Sequence, residues 1–396
     1  MGVPFQHKRQ WAMSMRAMMS CRKAIVACNV YVSAGKPKHK ELLMDLLEKT
    51  QQHCLHLNTK NNSPKERVVV VHAFSDGPYD RSSFHLAGTP DLVAIVGSSL
   101  AINAVEALMC FETSSEEDDF RRIRNEKEQP IHPTVGLVDH VSILPLDEDI
   151  NINIDGSDDD DNNNDDDENI TGSVARKIGE ALSMKNVDVL YYGRAHPAGT
   201  PLATVRREST RFFHSTNEKK DNSGNENIDL EENNDVKSVG QTTVGATDRF
   251  VENYNIRLRP SVSRTVARSL TENIRERSGI GLPLVEALTL AYGSDQYEVA
   301  CNLLDPSVTS AEDIEQRMRL WEKQHQKLLQ NQKQLPHEQD QKYIPGLVDK
   351  SYRVGTTSDL CLNALREVDT MEREKAYNKA IKKGLETDLC VSPTQQ

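Results

Sequence analysis

The sequence predicts an α/β (α+β) chain of two modules in series, and three observations carry that prediction. Apolar runs of strand length alternate with runs whose apolar residues recur every three to four positions. Two long polar segments, residues 147–168 and 215–238, interrupt the alternation. It then resumes with a different set of residues, and 396 residues suffice for two domains of ordinary size or one with large inserts.

In the first module "KAIVACNV" (23–30) reads as a strand and "HKELLMDLLEKTQQ" (39–52) as an amphipathic helix. "RVVVVHAF" (67–74) is apolar on both faces, the pattern of a strand covered on two sides, and the helix "DLVAIVGSSLAINAVEALMC" (91–110) follows. Residues 135–144 read as a strand. The helix "TGSVARKIGEALSMK" has Val174, Ile178 and Leu182 four residues apart, and "VDVLYYG" closes the module as a strand.

The second module opens with the strand "RFVENYNIRL" (249–258) and the helix "SVSRTVARSLTENIRERSG", which Gly279 stops. "PLVEALTLAY" and "YEVACNLLD" read as strands. "TSAEDIEQRMRLWEKQHQKLLQ" begins with a capping box from Thr309 to Glu312 and carries Ile314, Met318 and Trp321 on one face. A last helix, "SDLCLNALREVDTMEREKAYNKAIKK", ends before Gly384 and packs back on a module or on a partner chain. The expected division is an N-terminal extension (1–21), a first subdomain (22–214) with a disordered insert at 147–169, a disordered linker (215–238), a second subdomain (239–335) and a helical tail (336–396).

Charge narrows the partners. Residues 147–168 hold twelve Asp or Glu and no Lys or Arg, which equals the whole formal net charge of −12. The rest of the chain is neutral and shows no basic stripe, so nucleic acid is not an expected partner. Seven scattered cysteines without a CxxC pair fit a reducing compartment and argue against a metal site. No apolar run approaches the roughly 18 residues of a membrane span, so no membrane is expected. The first 40 residues lack Asp and Glu, as a transit segment would, or as a ragged N-terminus would. A cytoplasmic location is expected, with organellar import as the alternative.

Three stretches concentrate chemistry. In "QPIHPTVGLVDHVSILPL" (129–146), Pro133 restrains the backbone of His132 toward extended geometry. A strand over 135–144 would put Asp139 in a row with Val135, Leu137, Val141 and Ile143. A carboxylate there needs a dedicated partner, either His132, His140, an arginine or backbone amides. A carboxylate-held imidazole is a common general base, but the spacing by itself favours a turn cap for His132 and a loop pin for Asp139. In "VVVVHAFSDGPYDRSSFHLAG" (68–88), an apolar strand runs into Asp76, Gly77, Asp80 and Arg81, where ligands of α/β sheets gather. Arg81 offers a planar fork for a carboxylate, or pairs weakly with Asp80 in a solvated turn. In "SVGQTTVGATDRFVENYN" (238–255), Gly240 and Gly245 bracket small hydroxyl residues including Thr243, as a backbone approached by a flat ligand or as a tight turn. "GIGLP" (279–283) lacks the third glycine of a dinucleotide fingerprint and reads as a helix stop.

Together, "ACNVYVSAG", "FSDGPYDRSSFHLAG", "HPTVGLVDHVSILPL", "YYGRA" with "LATVRR", "VGATDRFVENYNIRL" and "VEALTL" with "EVACNLL" follow one another over roughly residues 22–306. This ordered set resembles glutamate formiminotransferase, the folate-dependent transferase module of formiminotransferase-cyclodeaminase, in its stand-alone plant-type form and without the cyclodeaminase domain. The resemblance implies two ferredoxin-like subdomains whose facing surfaces form a folate and substrate cleft. It implies transfer of a formimino group from N-formimino-L-glutamate to tetrahydrofolate, the co-substrate, in one-carbon metabolism and histidine catabolism. His132 matches the family's catalytic proton acceptor, with Asp139 as its orienting carboxylate. Asp76 and Arg81 match substrate-binding positions, Gly240, Thr243 and Gly245 match a folate-contacting segment, and a homodimer is implied. The chain departs from the family pattern at Thr134, Tyr31, Ala34 and Val239 and in "NEKEQP" before the histidine. These departures favour the alternative of a non-catalytic folate-binding or oligomerising protein of the same fold.

Overall fold

The computed structural model describes residues 24–60, 66–114, 134–146, 169–210, 240–332 and 346–368. The first module contains β1 (Val26–Val32), α1 (Lys40–Lys60), β2 (Val68–Asp76), β3 (Arg81–Gly88) and α2 (Pro90–Ser114). It continues with β4 (Val138–Pro145), α3 (Ile170–Ser183), β5 (Asp188–Gly193), α4 (Leu202–Ser209) and β6 (Gln241–Ala246). Its strands form a six-stranded sheet in the order β2-β3-β1-β4-β6-β5, with β6 parallel to both β4 and β5. The alternating apolar residues Val26, Cys28, Val30 and Val32 of β1 bury one face under α1, α2 and α3, against Leu46, Leu47, Leu100 and Ile178. Gly97 on α2 lets Ile178 approach closely, since a Cβ there would lie 2.9 Å from Ile178 Cδ1.

α2 corrects one expectation. Pro90–Phe111, with mean hydropathy 1.8, is long and apolar enough by length and composition to cross a membrane. Its Val93, Val96, Leu100, Ala104 and Leu108 are buried in the core of the first module.

The second module contains β7 (Glu252–Leu258), α5 (Arg264–Ile274), β8 (Val285–Tyr292), β9 (Gln296–Leu303), α6 (Ala311–Gln332) and β10 (Val348–Val354). These strands form an antiparallel sheet in the order β10-β7-β9-β8. Tyr254, Ile256, Val299 and Leu303 bury one face against Leu270, Ile274, Ile314, Met318 and Trp321 of α5 and α6. The capping box of α6 sits one residue later than expected: Ser310 and Asp313 exchange the bonds, while the Thr309 hydroxyl donates to the Pro283 carbonyl. α5 ends earlier than expected, at Ile274, where Arg275 turns extended; Gly279, with φ of 80°, ends only the short 3-10 turn Glu276–Ser278 that follows.

The module boundary differs from the expected one. β6 lies within the expected second subdomain by sequence, yet its register with β4 and β5 puts it in the first sheet. The tail also differs. β10 is the strand that completes the second sheet beside β7. α7 (Ser358–Glu367), capped by Thr357, crosses back to the first sheet, where Cys361 and Ala364 cover Ala27, Val69, Ala87 and Leu144. The remainder of the expected last helix lies outside the described residues, as do the insert at 147–168 and the linker at 215–238.

Candidate functional site between the two sheets

Among the described residues α7 covers part of the second face of the first sheet, and polar and aromatic residues of that face meet the face of the second sheet opposite α5 and α6. Direct contacts join the walls. The Tyr31 hydroxyl lies 3.4 Å from Asn253, and the Tyr79 hydroxyl donates to Glu298 over 2.9 Å. The backbone of Gly355, after β10, lies close against the His85 ring, where φ of 86° and the lack of a Cβ make room.

Asp139 is the extra residue of a β-bulge. Tyr31 pairs with His140 and Val32 with Val138, so Asp139 has no opposite number on β1 and leaves the apolar row predicted for it. Its carboxylate is fully buried. Oδ2 lies 2.7 Å from Arg81 Nη2 and 3.6 Å from Arg206 Nη2, and Oδ1 accepts from the Val135 amide over 2.7 Å. The required partners are thus two arginines and a backbone amide. Arg81 does not pair with Asp80; it lies over the Tyr31 ring, 4.3 Å from its centroid. Asp80 instead accepts from the Gly35 and Lys36 amides and pairs with Lys36 and His39, pinning the loop after β1.

Beside this cluster, Thr243 links three elements. Its hydroxyl donates to the Asp139 carbonyl over 3.2 Å, lies 3.0 Å from His140 Nδ1 and is 3.5 Å from Arg206 Nη2. That assigns the proton to His140 Nδ1 and leaves Nε2 to accept from the Tyr192 hydroxyl at 3.3 Å. Tyr192 reaches across β6 only because its partner there is Gly245, where a Cβ would lie 2.4 Å from the ring. Rings continue along the floor. Tyr192 stacks on His140, His140 neighbours Tyr31, Tyr31 meets His85 edge-on, and His85 adjoins His72 and Phe74. Burial holds His140 and His85 well below the ordinary histidine pKa, aided by Arg206 and His72 respectively, and brings His72 down to about 4. These imidazoles are neutral near neutral pH.

The opposite wall centres on Glu298, which is fully buried. It accepts from Tyr79, from Asn255 at 2.7 Å and from Tyr352 at 2.6 Å, and pairs with Arg257 at 3.3 Å. Arg257 in turn lies over the Tyr292 ring. Asp76, buried near this group, accepts from the Tyr79 amide. Burial first, and Glu298 second, push the Asp76 carboxyl up to about 6 against the pull of that amide.

Of the residues singled out in the sequence, Arg81, Asp139 and Thr243 come together at one cluster, and Asp76 lies at another. Gly240 has φ of 103° and opens β6, and Gly245 makes room for Tyr192, so their local roles are backbone geometry and packing. His132 lies outside the described residues. His140 was named as a possible partner of Asp139 but not as part of the site, and Arg206, Tyr79 and Glu298 were not singled out. The signal for Arg206 was present, since "LATVRR" gives a short helix whose buried residues are Val205 and Arg206. Among the described residues no group of three His, Cys, Asp or Glu could hold a metal ion.

The fold and site define a two-module α/β protein with a buried polar seam between facing sheets. Residues 25–247 match the formiminotransferase domain, N-terminal subdomain, a span that ends one residue past β6. The chain therefore belongs to the formiminotransferase family, whose members are in general folate-dependent transferases. A formiminotransferase cyclodeaminase-like protein of Arabidopsis thaliana is 25% identical over 308 residues, covering 76% of this chain and 87% of that protein. Superposition on the periplasmic protease PqqL from Escherichia coli gives a TM-score of 0.16 at 10% identity, over 92% of this chain and 41% of that one. So low a score carries no argument.

Proposed function

We propose that this protein transfers a formimino group from N-formimino-L-glutamate to the N5 nitrogen of tetrahydrofolate, with His132 as the general base. The observation that carries the reading is the Asp139 carboxylate. It holds the Val135 amide, three residues along the chain from His132, and the Arg81 guanidinium at once. In this mechanism His132 takes the N5 proton as N5 attacks the amidine carbon. The bond from that carbon to the glutamate nitrogen then breaks, and glutamate leaves with the proton returned to its nitrogen. Asp139 acts through the chain it orients. The floor of the seam also suits a heterocycle with polar edges: Asn29 Oδ1 and His85 Nδ1 are buried there without hydrogen-bond partners, beside the aromatic row.

A second reading, a folate-binding protein without turnover, is favoured by Tyr31, a departure from the family pattern that lies between Arg81 and His140. Calorimetry with tetrahydrofolate, followed by a spectroscopic assay for 5-formiminotetrahydrofolate with N-formimino-L-glutamate present, separates the two. Binding with product formation supports the transferase, binding without product supports the second reading, and absence of binding removes both.

A further inference from the structure

β8 ends the second sheet with one side unpaired. Among the described residues β9 pairs along its whole length, from Val285 with Leu303 to Tyr292 with Gln296, and no strand lies on its other side. Its sequence, VEALTLAY, carries none of the devices that blunt such an edge: it has no lysine, no proline and no break in register. Leu288 is 40% exposed, and Ala291 is exposed as well. An edge of this kind is a template for a further strand.

The helix above this edge tells which strand fits. α5 packs on β8 and β9, with the Thr271 hydroxyl 2.6 Å from that of Thr289. Ala267, Leu270 and Ile274 are buried against the sheet, and Ser269 points toward α6, where it accepts from Trp321 over 3.1 Å. At about 100° per residue, Arg264, Arg268 and Glu272 take the remaining side, which overhangs the free edge of β8. All three are exposed, and so is Glu276 just beyond the helix. Residues spaced by four thus read basic, basic, acidic, acidic, a row that matches itself when reversed. Glu272 has Arg275 of its own chain at 3.5 Å, while among the described residues no ion pair reaches Arg264 or Arg268.

We infer that a second copy of this chain docks here, β8 against β8 in antiparallel sense about a two-fold axis, so that two four-stranded sheets become one. With the axis at Thr289, that residue faces its own counterpart, Leu288 faces the partner subunit's Leu290, and Ala287 faces the partner subunit's Ala291. Glu286 is the single charged residue of the strand, so no like charges meet along it. Strands lie about 4.8 Å apart, so a helix above β8 and β9 stands two strand spacings, about 10 Å, from its symmetry mate, the distance at which helices pack. Thr271 sets the level of α5 over Thr289, which brings Arg268 within side-chain reach of the partner subunit's Glu272, and Arg264 within reach of the partner subunit's Glu276. Symmetry makes each pair occur twice. An unrelated extended peptide satisfies the edge but not the charges of α5. The surface is read from β8 and α5 and does not rest on the transferase reading.

Sedimentation equilibrium on the full chain tests this. The parent is expected to dimerise. Arg268→Glu puts like charges together in two symmetry-related pairs and is expected to weaken the dimer on the order of tenfold or more, as is Glu272→Arg. The double variant Arg268→Glu with Glu272→Arg keeps opposite charges facing, with their signs exchanged, and should recover the parent's association. Leu288→Lys places a charge on the edge strand and should also weaken the dimer. A parent that stays monomeric at its highest soluble concentration overturns the inference. So does a dimer whose dissociation constant is the same in Arg268→Glu and Leu288→Lys as in the parent, since it forms through another surface. A double variant as weak as the two single ones overturns the pairing of α5 with its mate. Melting curves check that each variant folds; if Leu288→Lys does not, the comparison of single and double α5 variants, all at exposed positions, decides by itself.

Discussion

Replacing Glu298 by Ala is expected to destabilise the protein by about 3–5 kcal/mol, the usual cost of removing one partner of a buried ion pair. The carboxylate is 0% exposed and holds Tyr79 at 2.9 Å, Asn255 at 2.7 Å, Tyr352 at 2.6 Å and Arg257 at 3.3 Å. Its loss leaves the Arg257 guanidinium, 3.5 Å from the Tyr292 ring centroid, without its nearest counter-charge and removes an acceptor from three donors. Tyr79→Phe is the finer probe. It deletes one bond to a charged acceptor, about 1.5–3 kcal/mol, and that bond joins the turn after β2 to the second sheet. Urea unfolding followed by far-ultraviolet circular dichroism and by tyrosine and tryptophan fluorescence measures both changes. The parent should show one transition in both signals, and Tyr79→Phe should separate them as one of the contacts that join the modules is lost. A Glu298→Ala loss below about 1 kcal/mol would refute the reasoning, because a buried carboxylate with these partners cannot be removed so cheaply.

His132→Ala should abolish transfer while leaving tetrahydrofolate affinity nearly intact, because a general base acts mainly in the transition state; unchanged turnover in a steady-state assay removes His132 from that role. Asp76 has a folded pKa of about 6, above the 3.8 of an ordinary aspartate, so the folded state binds its proton more tightly. The resulting stability is fully present below about pH 4 and is lost as pH rises through 6. Melting temperatures between pH 4 and 8 should show this fall, and Asp76→Asn should flatten it; an identical profile in the variant counts against a buried, protonatable Asp76. Asp80 has the opposite sign. Burial would raise it, but the His39 side chain and the Gly35 and Lys36 amides bring it down to about 2, so its contribution is lost only in acid below about pH 4. Gly245→Ala places a methyl carbon 2.4 Å from Tyr192 and should cost about 1–3 kcal/mol with a changed near-ultraviolet tyrosine signal, whereas a neutral result would mean the ring moves aside freely.

Much of the architecture was legible wherever a segment buries one continuous face. The four-residue spacing of Val174, Ile178 and Leu182 predicted α3, and the apolar run at 67–74 predicted β2. β3 and β6 were not legible as strands. "RSSFHLAG" and "QTTVGA" are rich in small polar residues because their second faces line the seam, so the polar pattern reads as a turn. The bulge at Asp139 depends on pairing with β1, more than a hundred residues away in sequence, and period-two reasoning cannot see it. The need of Asp139 for a dedicated partner was readable, but the sequence left His132, His140, an arginine and backbone amides open as that partner. Glu298 was missed because "YEVACNLLD" reads as an amphipathic strand, and nothing local shows that its polar face is covered by Tyr79 from the other module.

The return of α7 to the first sheet sets an order on synthesis. The ribosome completes all six strands of that sheet by Ala246, yet the cover that α7 gives Ala27, Val69, Ala87 and Leu144 arrives only when Cys361 and Ala364 emerge. Until then a nascent chain carries an apolar patch on an otherwise finished sheet, a surface open to chaperones and to aggregation. Truncation ahead of Ser358 makes that interval permanent, so a shortened first module prepared by itself needs a substitute for this one helix.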